Sequence, residues 1–164
     1  MQTQANEFWK LFKPKSCNIK ISGTSREEVF DQIIDSLVKG GGLDAEFVAP
    51  ARQALLEREA LASTGVGRNV AIPHVKLAGI ERVVASLCVH PEGVEWSALD
   101  GEPVKIFFTV LRPTRASDQH DPDRHLSMMQ WVSRLCREAD FLRFSLAAKT
   151  KTELVALLKE MAGV

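Results

Sequence analysis

His74 and His125 are the residues of this chain best suited to covalent chemistry on an anion. His74 closes a short apolar run at 70–73, behind Gly65 and Gly67, whose backbone freedom allows a sharp bend that leaves the imidazole at an exposed edge. A neutral imidazole nitrogen is a competent nucleophile at cytosolic pH. A histidine that merely fills a loop would look the same, because an isolated Ile-Pro-His is a weak signal. His125 stands at the start of a helical stretch, where backbone N–H groups and the helix dipole favour an anion, and the cation Arg124 precedes it. An ordinary surface histidine in a first turn is the plain alternative. Arg58 offers a planar fork of donors for a phosphoryl oxygen, although a lone arginine near a helix end is commonly a solvated charge. Arg68 and Lys76 flank the His74 loop and add positive charge, and both would fit an open surface equally well.

The loop ahead of His125 holds a rival constellation. Asp118, His120, Asp121, Asp123 and His125 place oxygen and nitrogen ligands close together, which a divalent metal would accept. Their spacing matches no rigid ligand pattern, and Asp-rich proline loops are ordinarily solvated. The expectation is therefore that no metal or other cofactor is required. The chain lacks a phosphate-binding G-x-x-x-x-G-K-[ST] loop and a G-x-S-x-G nucleophile elbow, and Gly-Val-Gly at 65–67 is too short for a dinucleotide fingerprint.

Helices and strands must position these side chains. Ser25 precedes Glu28 in a capping-box arrangement, and Val29, Ile33, Ile34, Leu37 and Val38 recur on one face, so a helix is predicted over 26–39, ended by the glycines at 40–42. A second is predicted over 44–59, with Phe47, Val48, Leu55 and Leu56 inside and Pro50 in its first turns. Ile19 and Ile21 alternate as in a short strand. From Leu61 to Val89 small and β-branched residues broken by Gly65, Gly67 and Pro73 read as strands in tight succession. The runs at 83–90 and 104–112 are almost wholly apolar, as strands covered on both faces are, and 94–96 reads as a short edge segment. After the polar loop at 114–125, Leu126, Met129, Val132, Ser133 and Cys136 share a helical face, and two shorter helices follow. The predicted fold is an α/β sandwich with a mixed, mostly buried sheet and helices on both sides.

Composition bounds the function. A chain of 164 residues, 45% hydrophobic, supports one core; residues 1–10 read as a tail and 11–164 as the domain. Lys and Arg number 21 and Asp and Glu 21, so the basic footprint of a non-specific nucleic-acid binder is missing. No stretch has the roughly 20 apolar residues of a membrane span, and the N-terminus has no signal-peptide core, which predicts a cytoplasmic protein. Cys17, Cys88 and Cys136 have no paired spacing and suggest reduced thiols.

Three segments in order, ALLEREALASTGVGRNVAIPH at 54–74, ALDGEPVKIFFTVLRP at 98–113 and RHLSMMQWVSRLC at 124–136, resemble the fructose- and mannitol-type enzyme IIA domains of the bacterial phosphotransferase system. The likeness extends over about residues 11–160. It implies that His74 is the phosphoryl acceptor, His125 the second active-site histidine and Arg58 the arginine near the phosphoryl group, with Arg68 and Arg124 as further phosphoryl-stabilising candidates. It also implies a phosphotransferase that takes its phosphoryl group from a histidine phosphocarrier protein and passes it to a IIB partner or uses it as a regulatory signal. With no IIB or IIC segment alongside, the chain resembles the stand-alone, nitrogen-related branch. It departs from the family at Val75, where a small residue is usual, and at Arg68, where Asn or an acidic residue is common. A regulatory binding module that keeps the fold without needing phosphorylation is the alternative.

Overall fold

The computed structural model describes residues 6–164. Helix α1 (Arg26–Lys39) starts where the sequence places it: the Ser25 hydroxyl accepts from the Glu28 N–H at 3.2 Å and donates to the Glu28 carboxylate at 3.1 Å. Helix α2 (Val48–Leu61) begins later than predicted, because residues 45–47 wind as a 3₁₀ turn first. Pro50 lies in its first turn, where a missing N–H costs no helical bond.

Five strands follow: β1 (Gly65–Gly67), β2 (Val70–Ala71), β3 (His74–Lys76), β4 (Val84–Val94) and β5 (Val104–Arg112). β5 is the spine of the sheet. β4 pairs antiparallel along one edge of it, while β2 and β3 pair parallel with successive stretches of the other. β2 and β3 are thus one line of chain interrupted at Ile72 and Pro73, and the Pro73 carbonyl still accepts from the Val110 N–H at 2.9 Å. The sheet is mixed, as predicted.

Alternate residues of β5 feed two cores. Ile106, Phe108 and Val110 pack with α3 (Pro122–Leu135), α4 (Ala139–Ala147) and α5 (Lys151–Glu160); Phe107 and Leu111 pack with α1 and α2. Both faces are therefore covered, which is why the two central strands read as continuous apolar runs. Burial pushes the three thiols up, to about 12 at Cys17 and Cys136 and about 11 at Cys88, so all three are free and inert.

Four expectations change. Ile19 and Ile21 form no strand; Asn18 makes an isolated bridge to Cys88, and the Ile21 N–H reaches the Val89 carbonyl. The tail expected at 1–10 lies outside the described residues up to 5, but residues 6–12 belong to the domain. Asn6 bonds to Ala162, and Phe12 is fully buried against Phe108 and Trp131. Trp96 is a core residue between Phe30 and Phe107 and not part of an edge. The buried face of α3 is His125, Met128, Trp131, Val132 and Leu135, turned from the predicted one; Leu126 is 58% exposed. The bulky Trp131 sets that face because it has the most apolar area to hide.

Candidate active site

His74 opens β3 directly after Pro73 and is exposed. Its Nδ1 lies 2.7 Å from the Ile72 carbonyl oxygen. A carbonyl can only accept, so Nδ1 carries the proton and Nε2 keeps the lone pair, facing away from the backbone. The register pairs His74 with Val110 and Lys76 with Arg112. In a parallel pair such partners share a face, so His74, Lys76 and Arg112 lie on the α3 side of the sheet with Val110. Val75 takes the opposite face and packs against the α1–α2 core.

The N-terminus of α3 meets them there. Asp121 caps the helix by accepting from the Asp123 N–H at 2.9 Å, and the His125 N–H closes the first turn on the Asp121 carbonyl at 3.0 Å. His125 therefore projects from the first turn toward the sheet, buried, with Nδ1 sealed from solvent and unpartnered. Burial first, then the positive charge or potential charge of Arg112, His120 and His74, hold its imidazole down at about 4, so it is neutral near pH 7. The charged groups that act on it most are cationic or can become so. The four ion pairs of the described residues, at Lys10–Glu7, Lys39–Asp35, Arg52–Asp31 and Arg143–Asp140, involve none of these groups.

Arg112 and His120 are the residues that the sequence reading did not assign to a phosphoryl site. Arg112 carried a signal: it is the first charge after a long apolar strand, at the carboxyl end of that strand, where open α/β sheets bind ligands. His120 was visible only as one member of the acidic loop.

The remaining candidates fall elsewhere. Arg58 stands in the last turn of α2, which packs against β3 from the face opposite His125, and its guanidinium donates to the Ala62 carbonyl at 2.6 Å. Its neighbour Glu59 is buried and accepts from both the N–H and the hydroxyl of Thr64 at 2.6 Å, fixing the turn that leads from α2 into β1. Arg68 departs most from expectation. It occupies the tight turn between β1 and β2, where Arg68 and Asn69 both have positive φ, 56° and 67°. Its N–H bonds to Asp100 and its guanidinium to the Arg137 carbonyl at the far end of α3. β2 pairs with Ile106 and β3 with Val110, four residues or about 13 Å further along β5, so Arg68 lies at the other end of the sheet. Arg124 points outward over the Phe8 ring at 5.2 Å and not toward His125. The loop that suggested a metal disperses its ligands: Asp118, Asp121 and Asp123 are exposed while His120 and His125 turn inward, and no cluster of three or more ligands forms among the described residues.

The exposed imidazole of His74 thus stands near the buried imidazole of His125, the guanidinium of Arg112 and the N-terminus of α3. That arrangement attracts an anionic electrophile and stabilises oxyanions around it.

The family model for the EIIA 2 component of the phosphoenolpyruvate-dependent sugar phosphotransferase system matches residues 10–161. The "PTS system fructose-specific EIIA component" of Haloferax volcanii is 29% identical over 137 residues, 84% of each chain. The crystal structure of nitrogen regulatory protein IIA-Ntr from Neisseria meningitidis superposes with a TM-score of 0.76 at 25% identity, covering 92% of this chain and 97% of that one. The complex of enzyme IIA-mannitol with phosphorylated enzyme IIB-mannitol from Escherichia coli superposes at 0.67 with 18% identity, covering 91% and 97%, a likeness of fold. No helix among the described residues is long and apolar enough to cross a membrane.

Proposed function

Because the chain belongs to the EIIA 2 family of the phosphoenolpyruvate-dependent sugar phosphotransferase system, we propose that it is a phosphocarrier whose His74 Nε2 receives a phosphoryl group from a histidine phosphocarrier protein and gives it up to a IIB domain or a regulatory target. The observation that carries this reading is the hydrogen bond from His74 Nδ1 to the Ile72 carbonyl, which leaves Nε2 as the exposed nucleophile. Its lone pair attacks phosphorus in line; the donor's P–N bond breaks and that electron pair returns to the donor's ring nitrogen. The phosphoryl group crosses with little bonding to either side, so the protein's contribution is position and charge. As Nε2 bonds to phosphorus the ring of His74 becomes positive, and the Ile72 carbonyl stabilises that charge. His125, Arg112 and the α3 N-terminus face the phosphoryl oxygens, while Arg58, held to the Ala62 carbonyl on the α2 side, would have to leave that bond to join them.

Two exposed leucines supply apolar contact for a docking protein: Leu126 beside His125, and Leu61 at the end of α2, 84% exposed. The relative solved with phosphorylated IIB gives a precedent for that kind of partner. Val75, which departs from the family pattern, is half-buried against the α1–α2 core. The test is transfer from the phosphorylated histidine phosphocarrier to wild type, His74→Ala and His125→Ala, followed by acid lability of the product. Acid-labile label that vanishes with His74 and slows without His125 is the expected result. A wild type that never labels, yet binds a partner equally well with and without His74, would establish the phosphorylation-independent binding module instead.

A further inference from the structure

His120 is a buried polar residue that the phosphocarrier reading does not use. It belongs to the connection between β5 and α3, where residues 114–119 are all exposed and His120 alone turns inward, to 5% exposure. The backbone around it is fixed. Ser117 and His120 exchange two backbone hydrogen bonds, at 3.0 and 3.2 Å, and the Gln119 N–H bonds to the Ser117 hydroxyl at 3.1 Å. A polar surface loop is therefore organised so as to hold one imidazole against the site.

The ring stands edge-on to His125, with centroids 5.9 Å apart and planes at 69°. In both rings Nδ1 is sealed from solvent and has no partner. Neither Nε2 is sealed in that way and neither ring makes a hydrogen bond, so each ring keeps an unused Nε2; His74 and Arg112 are near enough to His125 to act on its charge. Two adjacent buried imidazoles with unused donors, beside an unneutralised guanidinium, form a built site for an anion with several acceptor oxygens. A tetrahedral phosphoryl group has more oxygens than His125 alone can meet.

We propose that His120 is a third imidazole of the phosphoryl site: with His125, it binds the oxygens of the phosphoryl group carried by His74, one oxygen at each Nε2. This rests on the phosphocarrier reading and adds a binding residue to it. His120 supplies a donor that the Asp-rich loop would otherwise keep in solvent, and it gives that loop a reason to fold inward at this one position.

The experiment follows the histidine ring nitrogens of the full chain by ¹⁵N NMR, first during titration with inorganic phosphate and then after phosphorylation by the histidine phosphocarrier. His120 and His125 should move together, along one binding curve, and both should move again when His74 is phosphorylated. His120→Leu should weaken phosphate binding about tenfold, the loss of one charge-assisted hydrogen bond, and His120→Gln, which keeps a donor, should recover most of it. The wild-type spectra decide the matter even where the leucine variant does not fold. If the wild type labels on His74 and His125 responds while His120 stays still, His120 has no part in the site and the phosphocarrier reading stands without it. If no ring responds to phosphate and the donor does not label the protein, both readings fall.

Discussion

The two ends of strand β5 both gather polar side chains and treat them differently. At the end that starts with Val104, Arg68, Asn69 and Asp100 satisfy one another and the backbone. The Asn69 carbonyl accepts from the Lys105 and Ile106 N–H groups, its side chain donates to the Pro103 carbonyl, and Asp100 accepts from the Arg68 and Glu102 N–H groups. Those two N–H donors hold the Asp100 carboxyl below its ordinary range. At the end that stops with Arg112, His74 is the one of the three imidazoles that is bonded, while His120 and His125 keep buried nitrogens without partners. At the first end Arg68, Asn69 and Asp100 are used up in making the turn, and His90 close by bonds through Nε2 to the Gly23 carbonyl while its Nδ1 is buried without a partner. The second leaves nitrogens unpaired, at a cost of about 1–3 kcal/mol for each sealed group, and keeps the two Nε2 atoms free for an arriving anion.

Substitutions at the two ends should therefore separate sharply. The largest effect is expected from His74→Ala, which should abolish acid-labile labelling altogether, since no other atom of the site is placed as the nucleophile; label persisting at a wild-type rate would break the comparison. Arg112→Leu should slow phosphoryl transfer by about 10- to 100-fold, the scale of losing one preorganised donor, with the fold intact by circular dichroism. A smaller effect is expected on stability. His125 is held at about 4 in the folded chain against an ordinary 6.5, so the unfolded chain binds the extra proton first. Its contribution to stability is full above pH 6.5 and is lost as the pH falls from there toward 4. Thermal melts should show Tm dropping by roughly 10 °C across that window, and His125→Gln should flatten that limb. Arg68→Gly should do least: the left-handed backbone at φ 56° suits glycine, and loss of the bond to the Arg137 carbonyl offsets the gain, leaving transfer within about twofold of wild type by the same labelling assay. A tenfold loss there would show that the Arg68 end reaches the chemistry after all.

Much of this was readable in the order of residues because the signals are local. The Ser25 cap, the apolar face of α1 and the unbroken apolar runs of β4 and β5 depend on near neighbours in the chain, and each element formed close to its predicted place. Readings failed where a distant contact decided. Ile19 and Ile21 alternate like a strand, but the single bridge to β4 gives them no ladder. The face of α3 was misjudged because spacing alone did not weigh Trp131, whose indole sits in the core and donates to the Met161 carbonyl.

The site divides in the same way. The sequence determined which residues have the chemistry: an imidazole after Ile-Pro, a second at a helix start, arginines nearby, and the family likeness that orders them. Only the tertiary structure decided which of them meet. The register of β3 on β5 puts His74 and Arg112 on one face, the Asp121 cap aims His125 beneath them, and the loop folds His120 inward. The two-residue turn between β1 and β2 carries Arg68 away to the far end of the sheet. A side chain's type is written in its codon, but the face it occupies is fixed by strand register and by pairing across dozens of residues, where a shift of one position reverses inside and outside.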